Sequence, residues 1–160
     1  MRKRFDWDGF KSEISGVRFE EGKEFVASRS KDYYWYSPIL DEIFRDKIGD
    51  LVVIPSNQEQ VKKVAAAIAK YKIPLTLRGG GTGNYGQCVP LEGGVIMMMT
   101  KLNRIISFKE KSVLTESGVR ISRLDDAARS IGLELLMYPS TRRTATIGGF
   151  LAGGSGGCGS

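Results

Sequence analysis

The segment RGGGTGNYG at residues 78–86 has the composition of an anion-binding loop. Its glycines permit a close approach of ligand to backbone, so that successive N–H groups can converge on phosphate oxygens. The side chains of Thr82 and Asn84 add donors, while Arg78 either supplies charge to an anion or is paired within the fold. A flexible surface connector is the structural alternative. The candidate ligand-binding residues are Gly79, Gly80, Gly81, Thr82, Gly83, Asn84, Tyr85 and Gly86.

Two familiar phosphate-binding motifs do not account for this loop. Gly81, Gly83 and Gly86 match the spacing GxGxxG, but that motif must open a helix whose N-terminus meets the pyrophosphate. Residues 87–94 lack helical periodicity, which disfavours a Rossmann site. A P-loop needs Gly-Lys-Ser or Gly-Lys-Thr, and the sequence has neither. Phosphate binding is therefore expected from the loop backbone alone.

A second glycine-rich stretch occupies residues 145–157 and also carries small polar donors. The loop at 78–86 holds five of the twenty glycines and residues 148–160 hold seven, so the excess of glycine is local. The alternative for the second stretch is a linker or a truncation scar. The interleaved Ile147, Phe150 and Leu151 argue against a linker, which is normally polar throughout.

The elements that position the first loop form a predicted β-α-β unit. Residues 51–54 are a short apolar run ended by Pro55, which is typical of a buried strand. Ser56 and Glu59 have capping-box spacing, and apolar residues recur at helical intervals from Val61 to Ala69. A second strand at 74–77 leads directly into the loop. The long crossover makes the two strands parallel, and open α/β sheets bind ligands beyond the carboxyl ends of such strands.

Downstream of the loop the pattern is mixed. Strands are predicted at residues 94–100, 104–108 and 113–116, the last two as an antiparallel pair joined by a polar turn. A second helix is predicted from about Ser122, with Asp125 as a candidate capping partner and Gly132 as its end. After Leu135 we expect irregular backbone.

Residues 1–45 form an aromatic-rich segment that we separate from a domain at residues 46–160. Tyr33-Tyr34-Trp35-Tyr36 is followed by Ser37-Pro38, a step that disfavours helix at Ser37. Four adjacent aromatic residues could stack on a bound ring, but a core or an interface is the favoured interpretation.

The totals bound the class of protein. A chain of 160 residues suits one domain. Its net charge of +6 suits an anionic partner. Basic residues are interspersed with acidic ones, which favours a solvated surface over nucleic-acid binding.

No apolar run has the length of a signal peptide or membrane span, so a cytoplasmic location is expected. Without histidine, zinc and triad chemistries are disfavoured; we expect no metal, and free thiols at Cys88 and Cys158.

Several short blocks in a fixed order carry a resemblance to a known family. Besides the two glycine-rich stretches, they are LVVIP at 51–55, IPLTL at 73–77, LNRI at 102–105, ESGV at 116–119, GL at 132–133 and PS at 139–140. From about Asp32 to Ser160 the chain resembles the PCMH-type FAD-binding domain of the vanillyl-alcohol oxidase / p-cresol methylhydroxylase flavoprotein family, in its glycolate oxidase-like and D-lactate dehydrogenase-like branch.

The resemblance implies an α+β fold with a small parallel βαβ subdomain and a second, mainly antiparallel α+β subdomain that is incomplete, with FAD between them. Residues 79–86 would hold the pyrophosphate. The flavin and its ribityl chain would be lined by Pro139, Ser140, Thr146, Gly148, Gly149, Gly153, Ser155 and Gly156. Members that bind FAD covalently often use a histidine near the first loop. None is present, so FAD is expected to be non-covalent.

By the same resemblance the chain would be the FAD-binding portion of an oxidase or dehydrogenase acting on a 2-hydroxy acid or alcohol. The substrate-binding and catalytic residues of relatives lie beyond this length, so the catalytic residues stay unknown and this chain alone is expected to be inactive. The missing part, a partner subunit or self-association would complete it. The alternative is a non-catalytic nucleotide-binding module or an accessory subunit.

Overall fold

The computed structural model describes residues 5–159 and is built on a four-stranded sheet. Its strands are β1 (Arg18–Glu20), β2 (Leu51–Ile54), β3 (Leu75–Arg78) and β4 (Val95–Met98), in the order β1-β2-β4-β3. β2, β4 and β3 are parallel, and β1 is antiparallel to β2. The two predicted strands and the crossover are confirmed, with β4 inserted between the strands. The carboxyl ends of all three parallel strands therefore meet at one edge.

Helices cover both faces of this sheet. One face is covered by α1 (Trp7–Glu13) and the other by α2 (Lys23–Arg29); α3 (Pro38–Phe44) has no buried residue, and α4 (Gln58–Tyr71) packs beside α1. Alternate residues of β2 point to opposite faces, as strand geometry requires. Leu51 and Val53 join one core with residues of α1 and α4, whereas Val52 and Ile54 join a second core with Val26 of α2. Continuous burial of all four β2 residues follows from this two-sided cover.

The start of α4 differs from the predicted capping box by one residue. Asn57 is the N-cap, and its side chain accepts a hydrogen bond from the Gln60 N–H at 2.9 Å. Gln60 Oε1 in turn accepts from the N–H and hydroxyl groups of Ser56. The prediction of Ser56 and Glu59 was wrong because Asn is an equally good cap and Gln supplies the same reciprocal acceptor.

The second part of the chain carries a separate antiparallel sheet, as predicted. It consists of β5 (Ile105–Lys109) and β6 (Ser112–Thr115), and is followed by α5 (Ile121–Arg129) and α6 (Ile147–Ala152). Ile121, Ala145 and Phe150 form its small buried core. The mixed α+β class with one parallel and one antiparallel sheet is confirmed.

Two predictions in this part were wrong. Asp125 does not cap α5: it is buried within the helix, and its carboxylate accepts a hydrogen bond from Arg129 Nε at 3.0 Å. The backbone after Leu135 is not irregular throughout, because α6 forms at 147–152. Gly148 and Gly149 lower the helix propensity of that segment, but burial of Phe150 and the Thr146 cap outweigh them.

The segment before residue 45 packs on the sheet. β1 pairs with β2, and Phe10 of α1 is fully buried against the sheet. Of the four adjacent aromatic residues, Tyr34 is buried, while the rings of Trp35 and Tyr36 stack 4.0 Å apart on the surface. This segment shares its two cores with the rest of the chain. The division into a segment at residues 1–45 and a domain at residues 46–160 stays a prediction. Within residues 5–159 no helix has both the length and the apolar character of a membrane span.

Candidate functional site

A cleft of about 500 Å³ lies where the carboxyl ends of β3 and β4 face the second part of the chain. Its walls come from both subdomains, since the sheet contributes Arg78 and Met98 while α5 and its preceding turn contribute Arg120 and Arg123. The volume falls within the range typical of small-molecule sites. The full lining is Arg29, Arg78, Gly79, Gly80, Met98, Thr100, Lys101, Asn103, Gly118, Arg120, Arg123, Thr144 and Thr146.

The charge of this cleft has one sign. Arginine or lysine occupies five of the lining positions, namely 29, 78, 101, 120 and 123, and no lining residue is acidic. Charges of one sign gathered in a concave surface reinforce one another and attract an oppositely charged ligand. The chain as a whole carries 24 basic and 18 acidic residues, so this separation is local. The cleft is therefore suited to an anion.

The main-chain N–H groups of the first glycine loop divide into two sets. In the described part of the chain, no residue accepts a hydrogen bond from the N–H groups of residues 79–84. The N–H of Tyr85 is donated to Gln87 Oε1 at 3.1 Å and is therefore occupied within the fold. The amides open to a ligand are thus those of 79–84.

The two glycine-rich stretches, which are more than sixty positions apart in sequence, touch each other at the cleft. A Cβ added to Gly79 would collide with the Thr146 hydroxyl, and one added to Gly80 would collide with the carbonyl oxygen of Thr144. Glycine is therefore required at these positions by close approach of the two loops. Gly79, Gly80 and Thr146 all line the cleft.

Gly81 and Gly86 are needed by the loop itself. Gly81 has φ +66°, in the left-handed region, and lies directly on the Arg78 guanidinium. A Cβ on Gly86 would be 2.5 Å from the Phe44 ring. None of the predicted loop residues from Gly81 to Gly86 belongs to the cleft lining, and Asn84 and Tyr85 are exposed.

The predicted residues of the second stretch lie in two places. Gly148 and Gly149 sit at the start of α6, where Gly148 packs on Ser117 and Gly149 approaches Gly79. Thr146 lines the cleft, whereas none of the other predicted residues of this part of the chain belongs to its lining. Ser140, Gly153, Ser155 and Gly156 are exposed, and Pro139 is half-buried beside Gly157, next to the bridge between Tyr138 and Cys158.

Nine lining residues were not predicted. Thr100, Lys101 and Asn103 follow β4, so the rule that placed the first loop at a strand end could have found them. Gly118 follows β6 and belongs to a block of the family resemblance. Arg29 had no such signal, because it ends a helix some fifty positions before the loop. The others are Met98, Arg120, Arg123 and Thr144.

Arg78 combines the two roles left open for it. Its Nη1 donates to the carbonyl oxygens of Arg29 and Lys31 at 3.0 and 2.5 Å, so the guanidinium is held within the fold. It also lies 3.0 Å from the Sγ of Cys88, and it lines the cleft. Burial raises the pKa of the Cys88 thiol, which keeps that cysteine in its neutral form.

Comparison with known proteins identifies the family. Residues 49–160 match the family described as FAD binding domain. D-lactate dehydrogenase of Archaeoglobus fulgidus is 32% identical over 141 residues, which are 88% of this chain and 28% of the relative. The glycolate oxidase subunit GlcD of Escherichia coli K12 is 32% identical over 109 residues, 67% of this chain and 22% of the relative. The resemblance and its branch are confirmed. The chain spans about a quarter of the length of these relatives.

Solved structures share the fold. Alkyldihydroxyacetonephosphate synthase superposes with a TM-score of 0.81 at 21% identity, over 94% of this chain and 32% of that one. p-Cresol methylhydroxylase superposes with a TM-score of 0.70 at 19% identity, over 90% of this chain and 28% of that one. These likenesses confirm the expected PCMH-type fold.

Proposed function

Because the chain belongs to the FAD-binding domain family, we propose that its basic cleft holds FAD, with the pyrophosphate against the main-chain N–H groups of residues 79–84. The observation that carries the proposal is the conjunction of two features at one edge of the sheet. Basic side chains line the cleft without any acidic one, and a run of amides in the same loop has no acceptor among residues 5–159. A diphosphate group is bound both by positive charge and by main-chain N–H donors that converge on its oxygens.

The glycines of the first loop are suited to binding FAD. Gly79 and Gly80 allow the two loops to meet at the cleft wall without a side chain between them. A ligand can therefore lie against bare backbone, where amide donors reach it at hydrogen-bond distance. Lys101, Arg120 and Arg123 line the same cleft and would neutralise the phosphates.

The second stretch is proposed to face the flavin and its ribityl chain. Thr146 lines the cleft, and Gly148 and Gly149 adjoin it, which supports this assignment for those three residues. For Pro139, Ser140, Gly153, Ser155 and Gly156 the assignment rests on the family resemblance. These five residues could contact FAD only if the cofactor extends from the cleft along the surface of α6.

FAD bound here would supply hydride or electron transfer, while the residues of this chain bind and orient it. The relatives carry the names D-lactate dehydrogenase and glycolate oxidase subunit, so we propose oxidation of a 2-hydroxy acid or alcohol by the whole enzyme. The side chains of the cleft are suited to binding an anion. No catalytic residue is proposed within this chain.

Non-covalent binding is proposed from the two cysteines together with the lack of histidine. Cys88 is buried against Arg78, and burial keeps it neutral, so it is poorly placed to form a bond to flavin. Cys158 is exposed beyond α6. Acid precipitation of the loaded protein should leave the yellow flavin in the supernatant; colour retained in the pellet would show a covalent link. A cytoplasmic location stays a prediction.

The exposed apolar side chains support a larger assembly. Leu136 is 89% exposed and Leu151 is 69% exposed, both in the second part of the chain. Large apolar side chains with this degree of exposure are candidate contacts for further protein. We propose that these residues contact either the remaining part of the enzyme or a partner subunit.

Titration with FAD tests the proposal. Wild-type chain should quench flavin fluorescence saturably, and Lys101→Glu should weaken binding by about tenfold at low salt, because it reverses a charge in the cleft. Lys111→Glu changes the net charge equally at the tip of the β5–β6 hairpin, outside the cleft, and should leave affinity unchanged. Equal loss in both variants, or no saturable binding by wild type, would overturn the site.

The same titration distinguishes the alternatives. A non-catalytic nucleotide-binding module predicts that ADP binds as tightly as FAD and that riboflavin does not compete. Nucleic-acid binding through the basic surface predicts affinity for an oligonucleotide that falls steeply with salt and is weakened equally by both lysine variants.

A further inference from the structure

The turn that follows β4, at residues 99–103, leaves the sheet beside the first glycine loop. β3 and β4 are parallel neighbours, and Arg78 lies opposite Met98 in their register. The Met99 N–H donates to the Arg78 carbonyl oxygen at 2.9 Å, so the loop and the turn begin side by side. Both enter the same cleft, which the loop lines with Gly79 and Gly80 and the turn lines with Thr100, Lys101 and Asn103.

The carbonyl groups of this turn are held within the fold. The Met99 carbonyl oxygen accepts from the Leu102 N–H at 3.0 Å, and that of Leu102 accepts from the Gly118 N–H at 2.8 Å. The Asn103 carbonyl oxygen accepts from Arg123 Nη1 at 2.7 Å. A Cβ on Gly118 would collide with the oxygens of Met99 and Leu102, so glycine is required there by close packing on the turn. The orientation of the turn is therefore fixed from its carbonyl side.

The N–H groups of the turn that line the cleft are open. Among residues 5–159, no group accepts a hydrogen bond from the main-chain N–H of Thr100, Lys101 or Asn103. Because neighbouring carbonyl groups are tied to the fold, these donors cannot turn inward to find a partner. Acceptor oxygens of solvent or of a ligand must satisfy them.

The first glycine loop brings only a few donors to the wall of the cleft. Of its residues, Gly79 and Gly80 belong to the lining together with Arg78. A diphosphate consists of two linked phosphate groups, each of which carries negative charge and several acceptor oxygens. The turn adds three open amides and the ammonium group of Lys101 on the neighbouring strand end. The loop and the turn together thus offer a set of donors for each phosphate.

We propose that the turn at residues 99–103 is a second phosphate-binding element, which holds one phosphate of a diphosphate while the glycine loop holds the other. Its donors are the amides of Thr100, Lys101 and Asn103. The inference rests on the proposed FAD site and deepens it, because it names the linked pair of phosphates as the group that the cleft recognises. A ligand with a single phosphate can use only one of the two elements, so the cleft selects diphosphates over monophosphates.

The geometry of the turn supplies a variant that removes one amide alone. Thr100 is the second residue of the β-turn that the Leu102 N–H closes onto the Met99 carbonyl, a position where proline is common. Thr100→Pro removes an N–H that has no acceptor among the described residues, so the fold loses no hydrogen bond from it. Thr100→Ala is the matched control, because it loses the same hydroxyl group and keeps the N–H.

The first measurement is calorimetric titration of the full chain, without FAD, with inorganic pyrophosphate and with inorganic phosphate. Wild type and Thr100→Ala should bind pyrophosphate more tightly than phosphate. Thr100→Pro should bind pyrophosphate about tenfold more weakly than Thr100→Ala does, since a hydrogen bond to a charged group is lost. Its affinity for phosphate should change much less, because phosphate can still occupy the glycine loop. Equal pyrophosphate affinity in the two variants, or an equal loss for both ligands, would overturn the inference.

The second measurement is FAD affinity by fluorescence quenching. We expect Thr100→Pro to bind FAD about tenfold more weakly than Thr100→Ala. Equal FAD affinity in the two variants would overturn the role of the turn while leaving the FAD site intact. If wild type binds pyrophosphate but not FAD, and Thr100→Pro still impairs pyrophosphate binding, the proposed function is overturned and the turn remains a diphosphate-binding element.

A second pair of variants serves if Thr100→Pro does not fold, which circular dichroism would show. Asn103 is exposed and lines the cleft, so its side chain can be changed at little cost to folding. Asn103→Asp places a negative charge beside the open amides and should bind pyrophosphate about tenfold more weakly than Asn103→Ala. Equal pyrophosphate affinity in these two variants would overturn the inference.

Discussion

At the scale of single residues, the glycines of this chain differ in what they do. Gly80 makes room for the carbonyl of Thr144, which joins the two halves of the cleft, and Gly81 lies on a guanidinium with a left-handed backbone. Gly22, by contrast, precedes α2 in open surroundings, where an added Cβ would come no closer than 4.0 Å to the Cβ of Phe25. Glycine content alone therefore does not identify the functional positions.

Gly80→Ala tests this distinction. The added methyl group would push the two loops apart, at a cost of about 1–3 kcal/mol for overpacking, and FAD affinity should fall with it. Gly22→Ala is the matched control for affinity: it should leave FAD binding unchanged, although it lowers stability somewhat because Gly22 is the N-cap of α2. Thermal unfolding and flavin titration measure the two effects. A Gly80→Ala protein with wild-type affinity would show that the contact between the loops does not shape the site.

Thr146 caps α6 and faces the first loop. Its Oγ1 accepts from the Gly149 N–H at 3.3 Å. Thr146→Ala should destabilise the protein by about 1 kcal/mol, as loss of a cap does, and Thr146→Ser should restore most of this because the hydroxyl returns. Denaturant unfolding of the three proteins measures the difference. Equal destabilisation by Ser and Ala would assign the effect to the lost methyl group instead.

At the scale of elements, α5 is tied to the segment that follows it by one carboxylate. Asp125 is 2% exposed and accepts from Arg129 Nε at 3.0 Å, with Arg142 Nη1 at 3.6 Å. Burial alone raises the pKa of Asp125, but the hydrogen bond and charge of Arg129, the Leu135 N–H and the Arg142 charge outweigh it, and the pKa is lowered. The ionised form is therefore favoured by folding.

This predicts a pH dependence. A lowered pKa in the folded state contributes stability above the unfolded value of about 3.9, and that stability is lost as the pH falls through the folded pKa. Asp125→Asn should thus cost about 2 kcal/mol at pH 7 and progressively less below about pH 4. Asp126→Asn changes the exposed neighbour and should have little effect. Urea unfolding from pH 3 to 7 measures both; a difference independent of pH would contradict the assignment.

At the scale of the whole molecule, the question is whether residues 46–160 fold without the preceding segment. Removing that segment would take Val26 out of the core that it forms with Val52, Ile54 and Ile96, and would leave that side of the sheet uncovered. It would also remove both carbonyl acceptors of Arg78. We expect residues 46–160 alone to lose cooperative unfolding in urea when followed by circular dichroism. Adding residues 1–45 as a separate peptide should restore it in part. A cooperative transition of the shorter chain by itself would support the domain division at residue 45.

The sequence was sufficient for the central elements because their signals are local. The buried strand at 51–54, the helix after it and the antiparallel pair follow from periodicity over a few residues, and the structure has all of them. Where neighbouring residues competed for the same role, prediction erred: Asn57 and Gln60 took the cap expected at Ser56 and Glu59. α6 was missed because its stability comes from the burial of Phe150, which local propensity does not contain.

The sequence by itself determined the family, and it predicted phosphate binding by the first loop, since closely spaced glycines let a ligand approach the backbone. Only the tertiary structure decided which amides stay open and which charges face them. Arg29, Lys101, Arg120 and Arg123 come from separate elements and converge only when the two subdomains pack.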